Sequence, residues 1–514
     1  MNGESKSNAP KRTGRRRSKA APTETRKVDY RNLRNPFPPA NAFTEDRIEA
    51  IHNASLQVLQ ELGIKVLLPK ARALFQAAGA RVVEDMVFIG RDIVEAAIKT
   101  APKSITLRGA VRERDVFLEP GRLTFHPGAG APHATDLMRG RRPGSLGDFK
   151  ELVKLTQHFD VMHMVPPLVE PQDVPMHLRH YAMSEEILTQ SDKPSFVYAR
   201  GRPQVMDCFE MMRDFRGLTD AEFTADCFMY TVINTNSPRQ IDIPMAQGII
   251  DFAHHGQVSI VTPFTLMGAM APITVAGALT LSHAEAMAAI TLSQLAKPGA
   301  PVLYGTFTSN VDMKSGAPAM GTPEQVKASL GTGQLARKLG LPWRCAAGSA
   351  SNINDVQAAH ETEFSAWGSV LAGASVVIHA TGWLEAGLTI SYEKFITDME
   401  MVQMFAELCA DTPATDDDLA MDALRDVQPG GHFFGTAHTM ERYQTAFYDP
   451  LVADWSNFGT WTENGAMDAN TRATGIWQGI LDEFQPPAHD PDRIGGLQDF
   501  IARRTQEGGA APES

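Results

Sequence analysis

One rhythm constrains the fold of this chain more than any other feature. Short apolar, β-branched or aromatic runs recur at 123–126, 161–166, 195–199, 228–233, 258–262, 302–306, 343–347 and 375–379. Eight such runs read as strands, set about 30 to 45 residues apart, and amphipathic helical patterns fill the intervals. The helices carry start and stop signals. Ser282 with Glu285 reads as a capping box, and Thr322, Pro323 and Gln325 combine a box with proline at the first helical position. Gly217, Gly256, Gly340 and Gly373 stand where helices should stop. Strictly alternating strand and helix units imply parallel pairing through right-handed crossovers, and eight units imply closure into a barrel rather than an open sheet. The expected class is therefore α/β, a (β/α)8 TIM barrel.

A chain of 514 residues exceeds a minimal barrel, and the surplus lies at its two ends. Between 29 and 118 the pattern is mainly helical: Thr44 is a candidate N-cap, Ile48, Ile51, Leu56, Leu59 and Leu62 form an apolar stripe, and Gly63 follows it. Shorter helices are expected at 71–78 and 92–100. After the barrel, placed at 119–390, helical patterns return at 393–409, 440–448 and 468–484. The expectation is thus a barrel with an N-terminal helical layer and a C-terminal helical extension over 391–514.

Charge is distributed unevenly. The net charge is −12, yet residues 1–27 hold nine Lys or Arg against two Glu, so a +7 tail precedes a body of −19. The tail (1–28) is too poor in large apolar residues to offset its ordering entropy and is expected to be disordered. Its arginines precede no apolar stretch, so it resembles neither a secretory nor a twin-arginine signal, and a nucleic-acid role is disfavoured. Residues 258–281 carry no charge, but Pro263, Gly268, Pro272 and Gly277 divide them into strand, loop and helix start, which argues against a membrane span. Four scattered cysteines form no Cys-x-x-Cys pair; a reducing cytosol fits best.

In such a barrel, chemistry sits at the C-terminal ends of the strands. That rule selects His126 and His133, Arg200, Asn234 and Asn236, Phe264 and Met267, Thr306, Phe307 and Asn310, the 348–354 stretch, and His379, Trp383 and Glu385. Some of these serve turns or core, as loop Asn and strand-end Phe commonly do. His254 and His255 are adjacent, and a Gly/Ala/Pro loop separates His126 from His133. Neither pair has metal-ligand spacing, so no bound metal is expected. No Gly-x-Ser-x-Gly elbow, P-loop or dinucleotide fingerprint follows a strand. What remains is a pocket of aromatic, Asn, Thr and Gly residues in an acidic body. Aromatic faces attract ammonium groups, and Glu385 or Glu361 would add counter-charge, so an organic cation is a candidate ligand.

Six strings carry a resemblance: TVINTNSPRQ (231–240), GAMAPITVAGALTLSHAEAMAAI (268–290), SGAPAMGTPEQ (315–325), NDVQAAHET (354–362), GWLEAGLTISYEKF (382–395) and GGHFFGTAHTMERY (430–443). Together, and in collinear order from about 30 to 505, they resemble the trimethylamine methyltransferase family. The resemblance implies a (β/α)8 barrel that moves a methyl group from a methylated amine to the cobalt of a corrinoid carried by a separate small protein. It implies no cofactor bound by the chain itself. Archaeal trimethylamine enzymes carry pyrrolysine in a stretch that corresponds to the region 344–354, where this chain has RCAAGSASNIN. The chain therefore resembles the non-pyrrolysine branch, which implies a quaternary amine such as glycine betaine as donor.

A quaternary ammonium suits a pocket without acid/base machinery, because displacement of one methyl releases a neutral amine that needs no proton. Positioning and water exclusion then supply the catalysis. On this reading Phe264, Phe307 and Trp383 face the cation, Glu385 supplies counter-charge, and Asn234 and Asn236 position the substrate. Arg344 and His379 are candidates for the carboxylate of a betaine. Trimethylamine, proline betaine, carnitine or a sulfonium analogue stand as alternative donors. A methylated-osmolyte binding protein without turnover and a metal-dependent barrel hydrolase stand as alternatives from other classes. A cytoplasmic location is expected, no membrane partner is, and assembly into a homo-oligomer stays open.

Overall fold

In the computed structural model, which describes residues 28–198 and 200–513, the expected rhythm closes on itself. Barrel strands run at Arg122–Phe125, Ser195–Phe196, Met229–Ile233, Val258–Val261, Val302–Gly305, Trp343–Ala346 and Val376–Ile378. Each pairs in parallel with its neighbour, and the last returns to the first through Val376 opposite Thr124. The second run forms only single bridges, Met162 to Phe125 and Val165 to Ser195, which complete the ring. Pro166 and Pro167 lack the N–H groups a longer ladder needs, which accounts for its brevity.

Eight helices follow the eight runs: Leu146–His158, Arg179–Gln190, Arg202–Arg216, Ile243–His254, Val275–Ala296, Pro323–Leu339, Val356–Leu371 and Tyr392–Leu408. Thr322 accepts from the Gln325 N–H with Pro323 at the first position, and Gly217 and Gly340 end their helices in the left-handed conformation. The Ser282–Glu285 box is a correction. That helix is capped eight residues earlier, at Thr274, whose side chain accepts from Gly277 N–H. Ser282 and Glu285 are then interior and buried, with Glu285 turned toward the loop after the fourth strand. Val275–Ala296 is the one described helix long and apolar enough to cross a membrane, and most of it is buried inside the protein.

The N-terminal layer is less helical than its pattern implies. Helices at Glu45–Gln57, Pro69–Ala77 and Arg91–Thr100 alternate with short strands Ile64–Val66, Arg81–Val83 and Met86–Phe88, which join Gln240–Ile241 in a small sheet. Strands of three residues carry too few alternations to be read from sequence. A hairpin, Ile105–Leu107 with Val116–Leu118, shares a buried cluster with Tyr230, Val258, Leu303 and Val376 and fills one end of the barrel.

The C-terminal region divides. Residues 411–449 form a unit of their own with short helices Met421–Asp426 and Ala437–Arg442, whereas 450–513 belong with the barrel. The basic tail, 1–27, lies outside the described residues.

A final helix, Pro491–Gln506, is fastened by Arg504, which grips Asp207 through Nε and Nη2 at 3.1 Å each, while Tyr181 and His180 bond the same carboxylate. Burial would raise the Asp207 carboxyl, but hydrogen bonds from His180, Arg504 and Tyr181 outweigh it and hold the group below its ordinary value. That stabilisation is present above the unfolded-state pKa and is lost as pH falls through the lower folded one. Arg504→Ala is expected to cost about 1.5–3 kcal/mol at pH 7 in urea unfolding, with the deficit shrinking as acid protonates the Asp207 carboxylate. Equal stability at pH 7 would show that the helix is held otherwise.

Candidate functional site

At the C-terminal end of the strands lies a cavity of about 450 Å³. Its aromatic wall follows from strand register. The sixth barrel strand continues past a bend into Phe307–Val311, which pairs in parallel with Phe264–Met267, and this register sets Phe307 beside Phe264 with ring centroids 4.9 Å apart. Trp383 stacks on His379 at 4.0 Å, nearly parallel, and Phe307 meets both edge-on at 5.8 and 6.1 Å. One residue ties the pair: Ala129 N–H donates to His379 Nδ1, and Ala129 C=O accepts from the Trp383 indole.

Glycines make room for that indole. A Cβ on Gly348 would stand 2.4 Å from Trp383 Cε3, one on Gly387 2.3 Å from Cζ2, and one on Gly128 3.1 Å from Cδ1. Gly348 and Gly387 also have φ of +125° and +102°, which side chains rarely adopt. His379, Glu385 and Ala386 adopt positive φ as well, so backbone strain concentrates around the mouth.

Beneath the wall the polar groups are sparse and unpaired. Arg344, on the seventh strand, is 2% exposed. Its Nη1 donates to Thr306 C=O at 3.1 Å, its guanidinium carbon lies 5.9 Å from the Phe307 ring centre, and its Nε has no partner. Among the described residues no carboxylate lies within ion-pair distance of it. Burial pushes the guanidinium down to about 9. His126 donates from Nδ1 to Pro127 C=O at 2.8 Å and leaves Nε2 bare; burial pushes it down to about 3, so it is neutral. His379 is likewise neutral, held far below its usual range by burial and by the nearby Arg344 and His126.

Six of the eight expected site residues line this cavity: Asn234 at the exposed mouth, then Phe264, Phe307, Arg344, His379 and Trp383. Two do not. Asn236 holds Asp242, donating to its carboxylate at 3.1 Å and accepting its N–H at 3.0 Å, and so supports the start of the Ile243–His254 helix. Glu385 is clamped by Arg141 through two contacts of 2.9 Å and by Thr389, so its charge is already answered and faces no pocket cation. Glu361 is spent similarly, accepting from Ser349 Oγ, Ala350 N–H, Ser351 N–H and Gln357. Of the wider set, Arg200 lines the cavity and pairs with Glu170 at 3.2 Å, whereas Asn310 accepts from Thr322 Oγ1.

Sequence reasoning did not single out Tyr198 or Thr262, although both lie in strand runs at the end where the rule places chemistry; Tyr198 donates to Glu170 at 2.7 Å. It also missed Glu285. Buried in the core helix, Glu285 accepts from Thr235 Oγ1, Ser237 Oγ and Arg239 N–H at 2.6, 2.6 and 2.7 Å, folding the loop that carries Asn234. Burial holds its carboxyl above the ordinary value. Glu285→Ala leaves those donors without an acceptor and is expected to cost about 3 kcal/mol in urea unfolding, with Glu285→Gln recovering part of it. A fully stable alanine variant would show that water replaces the carboxylate. No group of three His, Cys, Asp or Glu able to hold a metal occurs among the described residues.

The architecture is shared with a solved structure, described as the hydroxylamine MtmB complex, at a TM-score of 0.50 and 11% identity over 90% of this chain and 89% of that one. Fold and site together define a (β/α)8 barrel with an aromatic-walled pocket at the C-terminal ends of its strands. Residues 11–509 match the family model for trimethylamine methyltransferase (MTTB), so the chain belongs to that family and is a methyltransferase. It is 33% identical to the glycine betaine methyltransferase of Desulfitobacterium hafniense (strain Y51), over 92% of this chain and 99% of that one. It is 30% identical to the trimethylamine methyltransferase MttB of D. hafniense (strain DSM 10664 / DCB-2), over 90% and 94%.

Proposed function

We propose that this methyltransferase takes a methyl group from a quaternary amine, glycine betaine or a close relative, and delivers it to Co(I) of a corrinoid carried by a small partner protein. The observation that carries the reading is the wall of Phe307, Trp383 and neutral His379, an uncharged aromatic surface for an ammonium group. The corrinoid acts as the second substrate. Its cobalt gives an electron pair to the methyl carbon, the C–N bond breaks, and its electrons remain on nitrogen as the lone pair of a neutral tertiary amine. No proton moves. The chain's own contribution is to bind the amine, present one methyl toward the open mouth and keep water from the wall. All four cysteines are free, in keeping with a reducing cytosol as the location.

Mixing the full chain with a Co(I) corrinoid and a panel of quaternary and tertiary methylamines, and following the cobalt spectrum, tests this. Methyl-Co(III) should form with glycine betaine. Methylation by trimethylamine alone would move the assignment to a tertiary amine, and binding of betaine without cobalt methylation would make the chain a binding protein.

A further inference from the structure

We propose that Arg344 makes this cavity a zwitterion site: it holds the carboxylate of a betaine at the floor, so that only an ammonium group carrying its own anion is accepted. The inference rests on the quaternary-amine reading and adds the charge class of the substrate.

The argument begins with an electrostatic imbalance. A guanidinium taken out of water is costly unless an anion and hydrogen bonds replace its hydration, and buried arginines are therefore found paired. Arg344 has one hydrogen bond, to Thr306 C=O, and no carboxylate partner among the described residues. Glu385 and Glu361, the two carboxylates expected to supply charge here, are already held by Arg141 and by the 349–351 loop. Arg344 and Thr262 both line the cavity, and Arg344 Nε and Thr262 Oγ1, both buried, have no hydrogen-bond partner. A carboxylate is the group that satisfies both and neutralises the charge. His126, which also lines the cavity, leaves its buried Nε2 without a hydrogen-bond partner.

Arg344 also decides what the aromatic wall can accept. Its guanidinium lies 5.9 Å from the centre of the same Phe307 ring that faces the cation. A simple cation such as choline would place a second positive charge beside an uncompensated one in a water-poor cavity, where repulsion is strong. A betaine brings its own anion, which lies between the two charges. The buried position of Arg344 and the exposed position of Asn234 set the direction: carboxylate inward, methyl groups toward the mouth.

Calorimetric titration of the full chain with glycine betaine, choline and 3,3-dimethylbutyrate separates the terms. The last keeps the carboxylate and replaces the ammonium nitrogen by carbon. The wild type should bind dimethylbutyrate about thirtyfold more weakly than glycine betaine, the loss of the cation's attraction to the Trp383 face, and choline at least about a hundredfold more weakly. Arg344→Met should lose about a hundredfold for both carboxylates and gain affinity for choline. Choline binding as tightly as betaine, or betaine affinity unchanged in Arg344→Met, would overturn the proposal. If the variant does not fold, the wild-type comparison of choline with dimethylbutyrate decides alone. The cobalt assay keeps the two readings apart: methylation by choline as fast as by glycine betaine removes the zwitterion site but leaves the quaternary-amine enzyme, whereas no methylation by any quaternary amine removes the enzyme reading, and calorimetry still reports on the floor.

Discussion

Trp383→Ala is expected to weaken binding of a quaternary amine by about thirtyfold and to lower kcat/KM at least as much. The indole is 5% exposed, so its face acts on the cation without competing water, where one ring is worth about 2 kcal/mol. The change also removes a large buried side chain wedged between Gly348 and Gly387 and stacked on His379, so stability should fall by about 3–5 kcal/mol. Calorimetry and urea unfolding on the same variant separate these effects. Trp383→Phe restores an aromatic face and should recover most of the affinity while leaving part of the stability loss. Unchanged affinity in the alanine variant would mean that the cation sits elsewhere in the cavity.

The second large effect is expected from a residue that has no side chain. In Gly348→Ala the new methyl group would stand 2.4 Å from Trp383 Cε3, at a φ of +125°. The backbone must relax out of a region worth about 1–3 kcal/mol of strain for a side chain, and the indole must tilt away from His379. A fall of at least tenfold in betaine affinity is expected, about 1.4 kcal/mol, with the barrel intact by circular dichroism. A double-mutant cycle identifies the route: in the Trp383→Ala background the same glycine change should cost far less affinity, since the group it displaces is gone. Additive effects would show that Gly348 acts through something other than the indole.

The barrel was legible because its signal is repeated. Eight apolar runs at regular intervals, each followed by a helical pattern, admit few topologies, and a strand missing from the ladder, such as the second one, does not break the count. Five residues that line the cavity, Asn234, Phe264, Phe307, His379 and Trp383, were named through a single rule, that chemistry sits at the C-terminal ends of barrel strands, and Arg344 through the carboxylate of the expected betaine. The rule selects a position and says nothing of direction. Asn236 and Glu385 satisfy it and still turn away, toward Asp242 and Arg141. The small N-terminal sheet escaped because three-residue strands have no readable period. The Ser282–Glu285 motif misled because its spacing also fits a helix interior, and here an uncharged N-terminal turn beginning at Val275 precedes it.

The amino-acid sequence by itself determined the barrel and its membership of a methyltransferase family, because periodicity and collinear motifs are properties of the chain read in order. Only the tertiary structure decided which charges are spent. Glu385 and Arg141 lie 244 residues apart and neutralise each other, whereas Arg344, flanked in the chain by Trp343 and Cys345, meets no carboxylate among the described residues. Whether a charge is paired depends on the through-space neighbours that folding supplies, and in a buried site, where water no longer screens, that pairing determines which ligand is admitted.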